Sequence, residues 1–432
     1  MRKPLTNRKT ELLLRWRTLW FFMAVGVLLL VGAATFDQNT TEKVKGVLAG
    51  INAGGFEEFD SNLAFQHAPI HFQDTDDSEP SSDFLTRWDY DGDLSPNNNW
   101  ENVPTADFKA VAYYSVVETA THWFVVYAFY HPRDWLDSPG SSEHENDLEG
   151  FLSIVHKNGT PYGSLQAIIT VFHNEFPSYT RNSVEIASDE STLASGIKIF
   201  EDVVRENRVK LDGELVFSDV NGIRRIKTTQ EPQGHGIKAW PSGNFSGDLP
   251  CEEEDGVIYY PSLSQAGIPD GGCDHHVFYK LEPLWPLWEV QLEEVGKIRN
   301  VFSTFAAWGV LQGNLNGRCG GGAFNFQLCS RNSANTPWRW DASHDNESYG
   351  GEMALDPAKM AAHYFDGFEN FDQLYTRNRY LQDLDELGYS NSHLPRGFDS
   401  DFDLDSSIGR VRGLSIAVPI LHSSKSTLDP PF

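Results

Sequence analysis

Basic charge is scarce in this chain. Against 61 Asp and Glu there are only 34 Lys and Arg in 432 residues, a formal net charge of −27. A surface of that sign repels nucleic-acid backbones and anionic membranes as a general field, so no nucleic acid is expected among its partners, and metal ions fit better. The same acidity also keeps an exported protein soluble with no specific cationic partner at all. Cysteine is scarce too: there are four, and none has the close C-x-x-C spacing of a zinc knuckle. Two hydrolase signatures are missing. Without G-x-S-x-G or H-E-x-x-H, esterase and zinc-protease readings have no support. No repeat recurs at a fixed period. What is present is a 40% hydrophobic and 13% aromatic composition, enough to bury a sizeable core in one large or two ordinary domains.

The N-terminus reads as an export signal. Arg2, Lys3, Arg8, Lys9, Arg15 and Arg17 precede an uncharged run from Thr18 to Phe36, and an acidic chain follows. This is the positive-inside arrangement of a signal peptide or a single signal-anchor helix over residues 1–37. The run is near the roughly 20 residues that span a bilayer, so an uncleaved anchor and a membrane contact through it are expected as readily as cleavage after Gly32, Ala33 and Ala34. Residues beyond 37 then face an extracytoplasmic space. The four cysteines agree with that compartment as two local pairs, Cys251 with Cys273 and Cys319 with Cys329. Three connectivities are open, and the short loops make the sequential pairing simplest.

Residues 38–84 carry Gly, Asp and Ser without a firm period and read as a flexible lead-in. From 85 to 290 the chain holds recurrent strand signals, among them VAYYSVVE, HWFVVYAFY, GFLSIVHK, SLQAIITVFH, HGIKAW, GVIYY and HHVFYKL. Short β runs separated by turns predict a mainly β fold, an antiparallel β-sandwich. Beyond 290 the character changes: QLEEVGKIRNVFSTF and DPAKMAAHYF have helical potential and NLNGRCGGGAFNFQ is a loop, so 291–432 reads as a C-terminal helix and loop decoration packed on the core.

Between the strands at Trp123–Tyr130 and Gly150–His156 lies a cluster of metal-ligand residue types: Asp134, Asp137, His144, Asp147 and Glu149. If 147–151 is extended, Asp147, Glu149 and Phe151 share one face and Leu148, Gly150 and Leu152 the other. Two carboxylates side by side repel, and burying them demands a cation or a proton. Asp134, Asp147 and Glu149 with the His144 imidazole suit Mg²⁺, Mn²⁺ or Ca²⁺ better than structural zinc. A solvated polar loop is the alternative.

A resemblance bears on that choice. The stretch Tyr127-Ala128-Phe129-Tyr130-His131-Pro132-Arg133-Asp134, followed by His144-Glu145-Asn146-Asp147-Leu148-Glu149, resembles the pattern of the necrosis- and ethylene-inducing (NPP1-like) proteins. There, Y-x-W-Y-F-P-K-D runs into G-H-R-H-D-W-E. It is also similar to the Vps62-like proteins, which carry H-x-x-D-W-E. The resemblance covers about residues 110–180 and implies a β-sandwich in which Asp134, His144, Asp147 and Glu149 hold a divalent cation at the edge of a cleft, with His173 a neighbour. Glu143 stands where the motif has glycine, Asn146 for its second histidine, Leu148 for its tryptophan, and the Asp134–His144 loop is longer. These departures keep the ligands and remove the aromatic and cationic dressing of the cleft.

Two further segments carry chemistry. Asp89, Asp91 and Asp93 begin like a calcium loop, but Leu94 and Trp100 occupy the positions of the EF-hand glycine and bidentate Glu, leaving a non-EF loop or a surface turn. Trp338 to Asp345 mixes indoles with acid and imidazole, as sugar platforms and core tryptophans near turns both do. His235 is either a cavity residue or a satisfied strand-end histidine. The leading expectation is an exported, metal-binding protein that recognises a glycan or lipid head group at a cation-centred cleft. The alternatives are a metal-dependent hydrolase of phosphoester or glycosidic bonds, and a structural cell-surface scaffold.

Overall fold

The run Trp123–Tyr130, aromatic and β-branched except for Ala128, lies in the longest pairing among the described strands. In a computed structural model it falls in strand β3 (His122–Asp134), paired antiparallel with β4 (His144–His156). The structure describes residues 57–135 except 77 and 106, 144–181 except 173 and 174, 211–240, 256–270, 275–294, 304–313 except 308, 333–340, 352–365 and 374–386. Nearly all belong to one unit, Asp60–Phe432. The N-terminal run 1–37, Asp137, His173, all four cysteines and Asp341–Asp345 lie outside the described residues.

The other strands are β1 (Ile70–Asp74), β2 (Val111–Thr119), β5 (Ser164–Thr170), β6 (Ser178–Thr180), β7 (Leu211–Glu214), β8 (Phe217–Val220), β9 (Ile223–Gln230), β10 (Ile237–Ala239), β11 (Gly256–Ser262), β12 (His275–Pro283), β13 (Phe305–Ala307), β14 (Val310–Gln312), β15 (Ser333–Asn335) and β16 (Tyr375–Arg377). Thirteen of the strands make one sheet in the order β10-β9-β1-β11-β12-β2-β3-β4-β5-β6-β7, with β16 on β2 and β8 on β9, while β13, β14 and β15 form a small separate sheet. The fold is mainly β, as expected, but the antiparallel sandwich is corrected. β1 pairs β9 in parallel, β11 pairs β12, β12 pairs β2, and β6 pairs β7 in the same sense. Such pairs need crossovers, which residue alternation within one strand does not record. β1 sits inside the sheet between β9 and β11.

Helices α1 (Pro80–Asp83), α2 (Asn99–Asn102), α3 (Trp285–Glu294), α4 (Pro357–Tyr364) and α5 (Arg379–Glu386) join the strands, besides a helical stretch over residues 57–67. The continuous apolar character of β3 has a simple cause: both its faces are buried, so it does not alternate. Phe124, Val126, Ala128 and Tyr130, at period two, join Leu148, Leu152 and Ile154 of β4 in one core cluster. Trp288 of α3, Trp338, Trp340, Leu355, Ala358 of α4 and Tyr380 of α5 belong to the same cluster. Burying a large apolar side chain stabilises by roughly 1.5–3 kcal/mol, and these described C-terminal residues are part of the core. Trp338 is fully buried and Trp340 is 3% exposed, which corrects the sugar-platform reading of those two indoles. Gly150 makes the contact with Trp340 feasible: a Cβ there would lie 2.7 Å from the indole and 2.1 Å from the Tyr127 carbonyl.

Candidate functional site

Antiparallel register sets His131 opposite Asp147, Phe129 opposite Glu149, and Asp134 opposite His144. Phe151 stacks on Tyr127 at 4.8 Å and on Phe129 at 6.0 Å, whereas Leu148 and Leu152 join the helix-covered core. Asp147 and Glu149 therefore belong with Phe151, as strand alternation predicts. Both are buried, at 5% and 6% exposure. Just before them Asn146 has φ 61°, a left-handed conformation unusual outside glycine. Its buried side chain explains why Asn is tolerated there. Asn146 Nδ2 donates to the carbonyls of Pro96 (2.9 Å) and Gln312 (3.0 Å), and its Oδ1 accepts from Tyr130 Oη (2.6 Å) and Asn99 Nδ2 (2.7 Å). The residue that departs from the family motif is here a structural hub joining β4 to α2 and β14.

The Asp147 carboxylate does not face water. Its Oδ1 accepts the Leu148 amide at 2.8 Å, and its Oδ2 lies 2.9 Å from His235 Nδ1. The other side of the same ring, Nε2, lies 3.0 Å from Asp83 Oδ1. Both flanking groups are acceptors, so the ring donates from both nitrogens and is an imidazolium between two carboxylates. Burial alone would lower the His235 pKa; the hydrogen bonds and charges of Asp147 and Asp83 outweigh it and push the group up to about 10. Asp83, at the end of α1, is itself fixed by Trp135 Nε1 (2.9 Å), the Gln233 amide (2.8 Å) and the Asp76 amide (2.8 Å). His235 is thus a fully buried histidine with both ring nitrogens engaged, and Asp83 is a partner that the sequence pattern did not single out. Nothing in the segment Glu79-Pro80-Ser81-Ser82-Asp83 signals a partner more than 150 positions away.

A second layer of imidazoles lies over the first. The His131 ring stacks on His235 at 3.9 Å and 8°. Gln230 Oε1 accepts from His131 Nε2 (3.1 Å) and His71 Nε2 (2.9 Å), while Gln230 Nε2 donates to the His235 carbonyl (2.6 Å). Thr228 Oγ1 donates to His71 Nδ1 at 2.9 Å, completing a neutral tautomer. Burial holds His71 down at about 4, against smaller upward pulls from its glutamine contacts. His131 is lowered well below its ordinary value, first by burial and then by the charge on His235. One charged ring and two neutral ones share the site because a carboxylate flanks only the first.

Asp134 and His144 form the exposed end. The His144 Nε2 to Asp134 Oδ2 distance is 3.3 Å, and the two side chains keep 18% and 16% of their surface accessible. Burial opposes the proton on His144, and the Asp134 hydrogen bond and charge, helped by Asp147, override it and raise the group to about 9. Beside them Arg133 ion-pairs with Glu79, donates to the Trp100 carbonyl and lies 4.5 Å over the Trp100 ring, tying α1 and α2 to β3. Asp134 and Asp147 are thus engaged by imidazoles, and among the described residues no three His, Cys, Asp or Glu side chains converge as an ion-holding group. The same is true of the loop at 89–93. There Asp89 pairs with Arg87, Asp91 accepts from Asn102 and the Asp93 amide, and Asp93 accepts from the Ser95 amide, as in a surface turn.

No protein family matches the chain by sequence profile, and no curated protein matches it. Solved structures do. The chain is similar to necrosis and ethylene inducing proteins. One is Necrosis and Ethylene inducing Protein 2 from the causal agent of cocoa's witches' broom disease, 14% identical, with 42% of this chain on 69% of that one at a TM-score of 0.20. NLPPya in complex with mannosamine is 16% identical, with 42% of this chain on 67% of that one at a TM-score of 0.23. A structure described as a toxin fold for microbial attack and plant defense is 11% identical, with 66% of this chain on 86% of that one at a TM-score of 0.25.

The neutral histidines have a measurable consequence. His71 and His67 both sit at about 4 when folded, largely through burial, against 6.5 when unfolded. Between those values the unfolded chain binds protons that the folded chain does not, so their stability is fully present above pH 6.5 and is lost as pH falls toward 4. His144 and His235 act oppositely: their contribution is full below 6.5 and fades as pH rises through about 9 and 10. The urea midpoint is expected to fall between pH 7 and pH 5, and His71→Gln to flatten that fall. An unchanged slope in the variant would remove His71 as a cause.

Proposed function

We propose that the chain is an exported, divalent-cation-dependent binder of a polar ligand, a glycan or lipid head group, recognised at the partly exposed end of the Asp134, His144, Asp147 and Glu149 cluster. The donor chemistry supports this reading: three carboxylates and one imidazole form a hard, oxygen-rich set that suits Ca²⁺, Mg²⁺ or Mn²⁺. A bound ion of that kind supplies a coordination position for a sugar hydroxyl or a phosphate oxygen. The chain's own residues do the rest. Asp134 and His144 give access from solvent. His235, held by Asp83, orients the Asp147 carboxylate, and Arg133 fixes the strand end on which Asp134 stands. To ligate, His144 must give up its Nε2 proton, which couples binding to pH.

The single observation that carries the proposal is the contact of Asp134 with His144 at 3.3 Å at the partly exposed end of the β3–β4 pair, with Asp147 and Glu149 following along the same strand β4. The hydrolase alternative has less support, because His235, which best resembles a relay, is fully buried between its two acids and cannot meet a substrate. The test is equilibrium dialysis of the chain from residue 60 onward against Ca²⁺, Mg²⁺ and Mn²⁺, wild type beside Asp134→Asn. Near-stoichiometric metal in the wild type, falling at least tenfold in the variant, is expected. Equal retention in both, or none in either, would overturn the cation-centred reading.

A further inference from the structure

We propose that Asn158 is an attachment site for an N-linked glycan. This rests on the extracytoplasmic reading above. Asn158-Gly159-Thr160 is an N-x-T acceptor pattern. It lies in the turn between β4 and β5, where residues 158–161 are exposed. Gly159 has φ +86° and open space where a Cβ would stand, so the turn projects into solvent with nothing packed against it. Such turns are where an enzyme can reach a folded or folding chain.

The local geometry suits the chemistry. Thr160 Oγ1 donates to Asn158 Oδ1 at 2.7 Å, and the Thr160 amide donates to the same oxygen at 3.1 Å. Two donors on Oδ1 draw electron density from the amide and favour loss of a proton from Nδ2. That nitrogen is left without a partner among the described residues. In the transfer, Nδ2 attacks the anomeric carbon of a lipid-pyrophosphate-linked oligosaccharide. The carbon–oxygen bond to pyrophosphate breaks, the lipid pyrophosphate leaves with the electron pair, and the Nδ2 proton passes to a base of the transferase. Thr160, at the third position of the pattern, supplies the hydroxyl of that contact.

The placement also leaves the candidate site clear. Asp147 stands near one end of β4 and Asn158 just past the other, roughly 35 Å away at about 3.3 Å per residue. The base of the hairpin is held independently, by the Lys157 amide donating to the Thr121 carbonyl and by Lys157 Nζ lying 5.0 Å over the Trp123 ring. A glycan at the tip therefore neither covers Asp134 and His144 nor disturbs the strands.

The test is expression of the full chain in a eukaryotic secretory host, followed by mass mapping of the 158-bearing peptide before and after peptide N-glycosidase. Asn39, Asn244 and Asn346 begin the same pattern outside the described residues, so whole-chain mass is not a sufficient readout. A hexose and N-acetylhexosamine ladder on this peptide is expected in the wild type and in Thr160→Ser, and its loss in Thr160→Ala and Asn158→Gln. An unmodified peptide from secreted chain overturns the proposal while leaving export intact. A chain found only in the cytosol overturns export and the proposal together. Since Asn-Gly also deamidates, Asp at 158 with no preceding glycan mass, persisting in Thr160→Ala, counts against it.

Discussion

His235→Ala is expected to lower the unfolding free energy by about 3–5 kcal/mol, the range for removing one partner of a buried ionic group. The residue is fully buried, and its imidazolium is the charge that separates Asp83 from Asp147. Its removal leaves two carboxylates buried at the same cavity with nothing but a void between them, and the desolvation cost of each returns uncompensated. Tm should fall by on the order of 10 °C for a domain of this size. Adding Asp83→Asn and Asp147→Asn to the variant is expected to recover part of the loss, because neutral amides do not repel and each keeps an oxygen to accept from a backbone amide. Urea unfolding of the single and triple variants measures both. A single-variant loss below about 1 kcal/mol would show that the acids find protons or solvent readily and that the imidazolium is dispensable.

Gly150→Ala is also expected to be strongly destabilising, although it adds one methyl group. An ideal Cβ at this position lies 2.1 Å from the Tyr127 carbonyl oxygen and 2.7 Å from the Trp340 ring. The carbonyl cannot retreat without parting β3 from β4, where Ala128 faces Gly150 in register. Replacing glycine usually stabilises through the unfolded chain by about 0.4–1 kcal/mol, and overpacking costs about 1–3 kcal/mol or more, so the clash wins. Poor soluble yield, or a loss near the top of that range, is the expected result. Trp340→Leu should rescue only part of it, since the indole can be trimmed but the backbone contact remains. A fully stable Gly150→Ala would mean that the β3–β4 pair can open locally. It would also mean that Trp340 does not depend on the gap.

Much of the fold was legible because β strands announce themselves locally. The runs at 111–119, 122–134, 144–156, 164–170, 256–262 and 275–283 combine aromatic and β-branched residues, and each is a strand. The helix at 357–364 was legible from DPAKMAAHYF. β9, with sequence IRRIKTTQ, was not, because charge dilutes its signal: Arg225 turns into the protein to donate to the carbonyls of Phe65 and Ala68, a use for an arginine that only neighbours reveal. Parallel pairing was equally hidden, since a strand's own residues do not say which way its neighbour runs.

The same division holds at the site. Alternation along β4 by itself placed Asp147 and Glu149 on one face with Phe151 and demanded a compensating positive charge, because period-two geometry and Coulomb repulsion act within a few residues. Which charge answers that demand was decided by tertiary structure alone. His235 and Asp83 lie 88 positions after and 64 before Asp147, and the ring bridges the two acids only because the turn before β10, the end of α1 and β4 are packed together. Hydrogen bonds between such distant groups depend on angstrom-scale placement that no local pattern encodes, whereas hydrophobic alternation tolerates many sequences and so can be read directly.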